Sequence, residues 1–193
     1  MNGPLQLGEN LNQPPDCPPR TTERRRKRLR LKNYDYSAPG TYFITVCTYK
    51  RDCLLGEIAE GRVRLSLFGR IVEQTWRWLG DSYSSVELDE WVVMPNHLHA
   101  IITIRDSHLA DSTNRPAKSL GRLLAAFKGT STKEINRTRG ANDPVWQRGF
   151  YDHIVRNEED LAGIRRYVIE NPIAWANDPE NPAVVTQGNR NRR

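Results

Sequence analysis

An α+β fold of the ferredoxin-like sandwich kind is predicted by three features of this 193-residue chain. Short stretches dense in β-branched and aromatic residues alternate with longer ones whose apolar residues recur at helical spacing. Their order is strand, helix, two strands, helix, strand, then one more helix. The middle two strands are parted by only two turn residues, which makes the sheet mainly antiparallel. Helices are therefore expected on one face of that sheet, with the C-terminal helix as an appendage.

The first element is TYFITVCTYK at 41–50, a strand by its Thr, Ile, Val and aromatic content. In the next segment Leu67, Ile71, Val72, Thr75, Trp76 and Leu79 form one apolar stripe, the mark of a core-facing helix. VELDEWVVM and HLHAIITI then read as two strands divided by Pro95 and Asn96. Residues 105–118 are polar, include Pro116, and read as a surface loop. SLGRLLAAFKGTSTKEIN places Leu120, Leu123, Leu124 and Phe127 on one side of a second amphipathic helix. FYDHIVR is short enough for a closing strand. In NEEDLAGIRRYVIENP, Asn157 suits an N-cap, the acids at 158–160 complement the helix dipole, and Pro172 is expected to mark the end.

One domain is expected, over 34–178, between a basic arm at 1–33 and a flexible basic tail at 179–193. The first twenty residues are rich in Pro, Asn and Gln and bury too little to order. Residues 1–33 carry eight Lys/Arg against three acids and the last ten residues three Arg, so of the formal +6 the body holds −2. Arg24, Arg25, Arg26, Lys27, Arg28 and Arg30 make the arm a candidate for nucleic acid, with a solvated solubility segment as the plainer reading. Cys17, Cys47 and Cys53 are an odd count without CxxC spacing, which suggests neither a disulfide framework nor a zinc knuckle. No stretch has the roughly 18 consecutive apolar residues of a membrane span, and the start lacks a secretory signal. A soluble, cytoplasmic protein is expected.

The functional signal lies in WVVMPNHLHAIITI. Strand side chains alternate, so Leu98, Ala100, Ile102 and Ile104 point to the core while His97 and His99 share the other face. Two imidazoles roughly 7 Å apart at Cα can converge on one ion. The plainer alternative is a pair of half-buried histidines with ordinary hydrogen bonds. Among the seven tyrosines, Tyr36, Tyr42, Tyr49 and Tyr83 lie in or beside early elements as packing residues, and Tyr151 and Tyr167 are the candidates in the later segment. Tyr167 and Asn171 stand four apart and share a helix face.

WVVMPNHLHAIITI followed by WQRGFYDHIVRNEEDLAGIRRYVIENP resembles the single-tyrosine HUH transposases (IS200-like), and among them the REP-associated tyrosine transposases, over residues 34 to 175. His97, Leu98 and His99 match the family's histidine, hydrophobe, histidine. The resemblance implies that the appended helix carries the nucleophile, Tyr167, and that Asn171 is the third protein ligand of a Mg²⁺ or Mn²⁺ ion. It further implies single-stranded DNA with REP-like hairpins as partner, cut and transferred through a 5′-phosphotyrosine link, by a monomer or homodimer. Arg165 and Arg166 are candidates for holding phosphates, Trp146, Gln147 and Arg148 for stacking and donating to bases, and Lys128 for the same strand; each is equally readable as a solvated or packing residue. His153 either supports the site or only packs. The alternative is a domesticated nucleic-acid-binding protein of the same fold without turnover. A two-histidine phosphodiesterase would want a second HxT or HxS element, which the sequence lacks.

Overall fold

The computed structural model describes residues 38–106, 118–178 and 180–182. In chain order the elements are β1 (Gly40–Cys47), β2 (Gly56–Ala59), β3 (Arg62–Leu65), α1 (Leu67–Ser82), β4 (Val86–Met94), β5 (His97–Ile104), α2 (Leu120–Arg139), β6 (Tyr151–Ile154) and α3 (Glu158–Ala174). Single 3-10 turns lie at Tyr49–Arg51 and Trp175–Asn177. Four strands form one antiparallel sheet in the spatial order β4-β5-β1-β6, with β6 at an edge. The predicted α+β ferredoxin-like sandwich is thus the observed one, with α3 as the appended helix.

Alternation along the strands divides the molecule. Tyr42, Ile44 and Val46 of β1 and Leu98, Ala100, Ile102 and Ile104 of β5 point to one face. There they meet Val72, Trp76 and Leu79 of α1 and Leu120, Leu123, Leu124 and Phe127 of α2, and these side chains make the main core. The Trp76 and Phe127 rings meet edge to face at 5.2 Å. The other face carries Phe43 and Ile101, and α3 lays Val168 on them with Leu161 and Ile164 beside it. Both histidines of the HLH motif face this second, thinner layer.

The caps follow the local sequence. Ser66 Oγ accepts from Gly69 N at 3.1 Å to open α1, and Asn157 Oδ1 accepts from Asp160 N at 2.8 Å to open α3. Gly140, at φ 65°, closes α2 in the left-handed conformation that glycine adopts without strain.

Four expectations need correction. The β2–β3 hairpin was not anticipated; its signal is Glu60–Gly61, both with positive φ, between the short runs GEIA and RVRL. Leu67, placed in the stripe of α1, is exposed because it occupies the first helical position, beyond the edge of the core. Pro172 does not end α3, which runs two residues further. Proline's own φ is helical, so the last turn tolerates it at the cost of one hydrogen bond. The packed body also passes residue 178, since Asp178, Glu180 and Asn181 are buried. Among the described residues no helix is long and apolar enough to cross a membrane. The basic arm, the first twenty residues, most of the 105–118 loop and the end of the tail lie outside the described residues.

Candidate metal and nucleophile site

The register of the sheet builds the site. His99 stands opposite Thr45 and His97 opposite Cys47, and the imidazole centroids are 4.3 Å apart. Each ring is held at Nδ1. Thr45 Oγ1 is 3.0 Å from His99 Nδ1, and Asn96 Oδ1 is 2.8 Å from His97 Nδ1. Asn96 Nδ2 donates to the carbonyls of Arg51 (3.1 Å) and Glu180 (2.8 Å), which fixes its other atom as the acceptor. His97 is therefore the tautomer with its proton on Nδ1 and its lone pair on Nε2. The turn residue between β4 and β5 so doubles as the orienting partner of the first histidine.

α3 supplies the hydroxyl. Val168 anchors the helix on Phe43 and Ile101, which brings the neighbouring Tyr167 ring to 5.2 Å from His99 and 5.8 Å from Phe43, centroid to centroid. Tyr167 Oη lies 3.3 Å from His99 Nε2. The residue is 46% exposed, so its hydroxyl has both the imidazole and solvent in reach. One turn on, Asn171 is buried, and its Oδ1 meets no hydrogen-bond donor among the described residues. A buried amide oxygen without a donor is costly in itself and suits a cation.

Beyond α3 the 3-10 turn reverses the chain onto the same pocket. Trp175 comes to 6.0 Å from the His97 ring, and buried Asp178 places a carboxylate oxygen so that it and one nitrogen of each histidine all lie within 4.8 Å of one another. Glu180 N donates to Asp178 Oδ1 at 2.6 Å. Glu180 in turn pairs with Arg51 and accepts from the buried Cys47 thiol at 3.8 Å, and Asn181 Nδ2 donates to Trp175 O at 2.9 Å. The residues fit a divalent ion: two imidazoles turned by partners at Nδ1, a buried carboxylate, and an amide oxygen lacking a donor. Sequence reasoning missed Asp178. Its one signal was an acid shortly after Asn171, and only the reversal of the chain aims it.

The remaining predicted residues divide. Lys128 Nζ donates to the carbonyls of Gln147 (2.5 Å) and Gly149 (2.9 Å), and burial lowers its pKa. Trp146 is 7% exposed and donates through Nε1 to Ser131 Oγ at 2.9 Å, a packing role rather than a stacking one. Arg165 binds Asp89 through Nε (2.9 Å) and Nη2 (2.6 Å), and this hydrogen bonding holds the Asp89 carboxyl below its usual range. Arg148 and Arg166 are exposed. His153 Nε2 sits 2.9 Å from Asp160 Oδ2, which lowers the Asp160 pKa and ties β6 to the first turn of α3.

No family model matches the chain. An uncharacterized protein of Haemophilus influenzae is 35% identical over 165 residues, covering 79% of this chain and 91% of that one. A second Haemophilus protein, described as a "putative REP-associated tyrosine transposase", is 27% identical over 152 residues, 74% of this chain and 77% of that protein. Among solved structures, a REP-associated tyrosine transposase bound to a REP hairpin aligns with TM-score 0.49 at 21% identity, over 79% of this chain and 73% of that one. A transposase-like protein of Deinococcus radiodurans aligns with TM-score 0.43 at 16% identity, over 74% and 96%. The 27% identical relative thus bears the name of the family that the histidine, leucine, histidine motif resembles.

Proposed function

We propose that the protein is a metal-dependent endonuclease and strand transferase for single-stranded, hairpin-forming DNA, with Tyr167 as nucleophile. The observation that carries this reading is the 3.3 Å approach of Tyr167 Oη to His99 Nε2 of the histidine pair. His97, His99 and Asp178 would hold a Mg²⁺ or Mn²⁺ ion, with the Asn171 amide oxygen as a further ligand. Imidazole nitrogens beside oxygen donors favour manganese. When bound, such an ion polarises the scissile phosphate and offsets its developing charge.

The chain's own residues do the rest. Thr45 and Asn96 hold the rings at Nδ1, which leaves Nε2 of each as the atom to coordinate. A phenol with a pKa near 10 is a weak nucleophile, and position is what the helix contributes. Tyr167 Oη forms a bond to phosphorus as the bond from phosphorus to the 3′-oxygen breaks, and its proton passes to the solvent that the half-exposed ring meets. The departing oxygen takes a proton and leaves as a free 3′-hydroxyl. Attack by a different 3′-hydroxyl reverses the step and transfers the strand without an external energy source. The exposed Arg166, adjacent to the nucleophile, is placed to meet a neighbouring phosphate. A monomer can carry out this chemistry, and a homodimer is equally compatible with it.

The test is incubation of the purified protein with single-stranded hairpin DNA and Mn²⁺, read on a denaturing gel. A shifted covalent protein-DNA species is expected. It should vanish in Tyr167→Phe, fall at least about a hundredfold in His97→Ala and His99→Ala, and persist in Tyr151→Phe. An adduct that survives Tyr167→Phe overturns the assignment. Salt-sensitive hairpin binding with no adduct is the outcome that the binding-protein alternative gives.

A further inference from the structure

The second sheet face extends past the pocket just described. His99, Thr45 and Tyr151 are paired in register across β5, β1 and β6, so their side chains emerge on one face in one row. At roughly 4.8 Å between strands, Tyr151 Cα lies about 10 Å from that of His99. α3 makes most of its sheet contacts on the β4–β5 side of this face. Tyr151 is 44% exposed, on the sheet's edge strand. Its ring is nonetheless not loose: Phe43 meets it edge to face at 6.4 Å. The same Phe43 ring stacks on His99 at 5.3 Å and meets Tyr167 at 5.8 Å. One buried phenylalanine thus braces the nucleophile, a coordinating imidazole and an exposed tyrosine. Below Tyr151, the His153–Asp160 pair fixes β6 to α3, so the platform and the nucleophile helix are tied together. Exposed Arg148 lies three residues before it in the chain.

We infer that Tyr151 is a stacking platform for one unpaired nucleobase flanking the scissile phosphate, with Arg148 as a phosphate contact at the same edge. This rests on the single-strand nuclease reading and adds to it a binding position for the substrate. A flat, half-exposed ring offers a π face to a base, and such stacking tolerates any base. The arrangement also accounts for the exposure of a large aromatic side chain beside a polar pocket without giving it any part in bond breaking. Trp146, the ring the sequence offered for stacking, is consumed by the core.

The experiment separates stacking from chemistry. Binding is measured in Tyr167→Phe protein, which retains the pocket, with a hairpin whose single-stranded flank carries 2-aminopurine at successive positions. Quenching at one position is expected, retained in Tyr151→Phe and lost in Tyr151→Ala, with affinity weakened about tenfold. With Tyr167 restored, Tyr151→Phe should form the adduct at the normal rate, whereas Tyr151→Ala should raise KM about tenfold and change kcat less than about threefold. Tyr151→Leu, which keeps the bulk and removes the π face, serves in place of Ala if that variant melts early, and should behave as Ala does. Wild-type affinity with the probe still quenched in the Leu variant overturns the platform. Loss of the adduct in Tyr151→Phe overturns it too, by making Tyr151 a nucleophile. An adduct that persists in Tyr167→Phe would overturn the catalytic reading while leaving the binding measurements to decide the platform by themselves.

Discussion

Thr45 and Asn96 are buried, yet they decide what the histidines can do. An imidazole presents a lone pair to an ion only when its other nitrogen is held, and each ring has one such partner, at 3.0 and 2.8 Å. Thr45→Val keeps the shape of the side chain and removes the hydroxyl. Calorimetry with Mn²⁺ should then record an affinity about 10- to 100-fold lower. Unchanged affinity would show that packing alone orients His99. At the same scale, Asp178→Asn keeps the hydrogen bond from Glu180 N and removes the charge, so it should weaken Mn²⁺ more than it weakens the fold. The comparison is a titration beside a melt of the ion-free protein.

At the scale of elements, α3 matters most and is held least. Only Val168 and Asn171 are fully buried along its 17 residues. Its grip on the sheet is completed by Arg165, two residues before Tyr167, bound to Asp89 where a bulge interrupts β4 between Leu88 and Trp91. The pair is partly exposed and adds little stability. Its pH dependence still has a definite sign. The bond to Arg165 holds the folded Asp89 pKa below the unfolded value of about 3.9. The contribution is therefore present in full above about pH 4 and lost as pH falls through the folded value. Urea midpoints of the wild type and Asp89→Asn should differ slightly at pH 7 and converge below about pH 4; a gap that widens in acid would refute the linkage. The same pair accounts for a reading that sequence could not make. Arg165 and Lys128 look like a phosphate clamp and a surface lysine in one dimension, but Asp89 is 76 positions from Arg165 and Gln147 and Gly149 are 19 and 21 from Lys128.

Across the whole molecule the sheet divides two kinds of work. One face and two helices form a closed apolar core, and the other face carries the polar pocket under a helix and the turn that follows it. An ion that binds the folded chain alone must stabilise it. At a hundred times its dissociation constant Mn²⁺ should contribute about 2.7 kcal/mol, which raises the melting temperature by about 5–10 °C for a domain of this size. The rise should disappear in His97→Ala, and scanning calorimetry with and without Mn²⁺ checks both. An equal rise in that variant would place the ion elsewhere.

The sequence by itself determined the order of the four main strands and three helices, the apolar faces of the core elements, the N-cap of α3, and the pairing of two histidines on one side of a strand. These follow from periodicity and from hydrogen bonds between residues a few positions apart, and such local physics is written in the string. Tertiary structure alone decided that Tyr167 comes to the pair, that Asp178 closes the pocket, that Trp146 and Lys128 serve packing, and that Tyr151 stays open on the active face. Each depends on which strands lie side by side and where the chain doubles back, and those choices are made by the burial of the whole apolar surface at once.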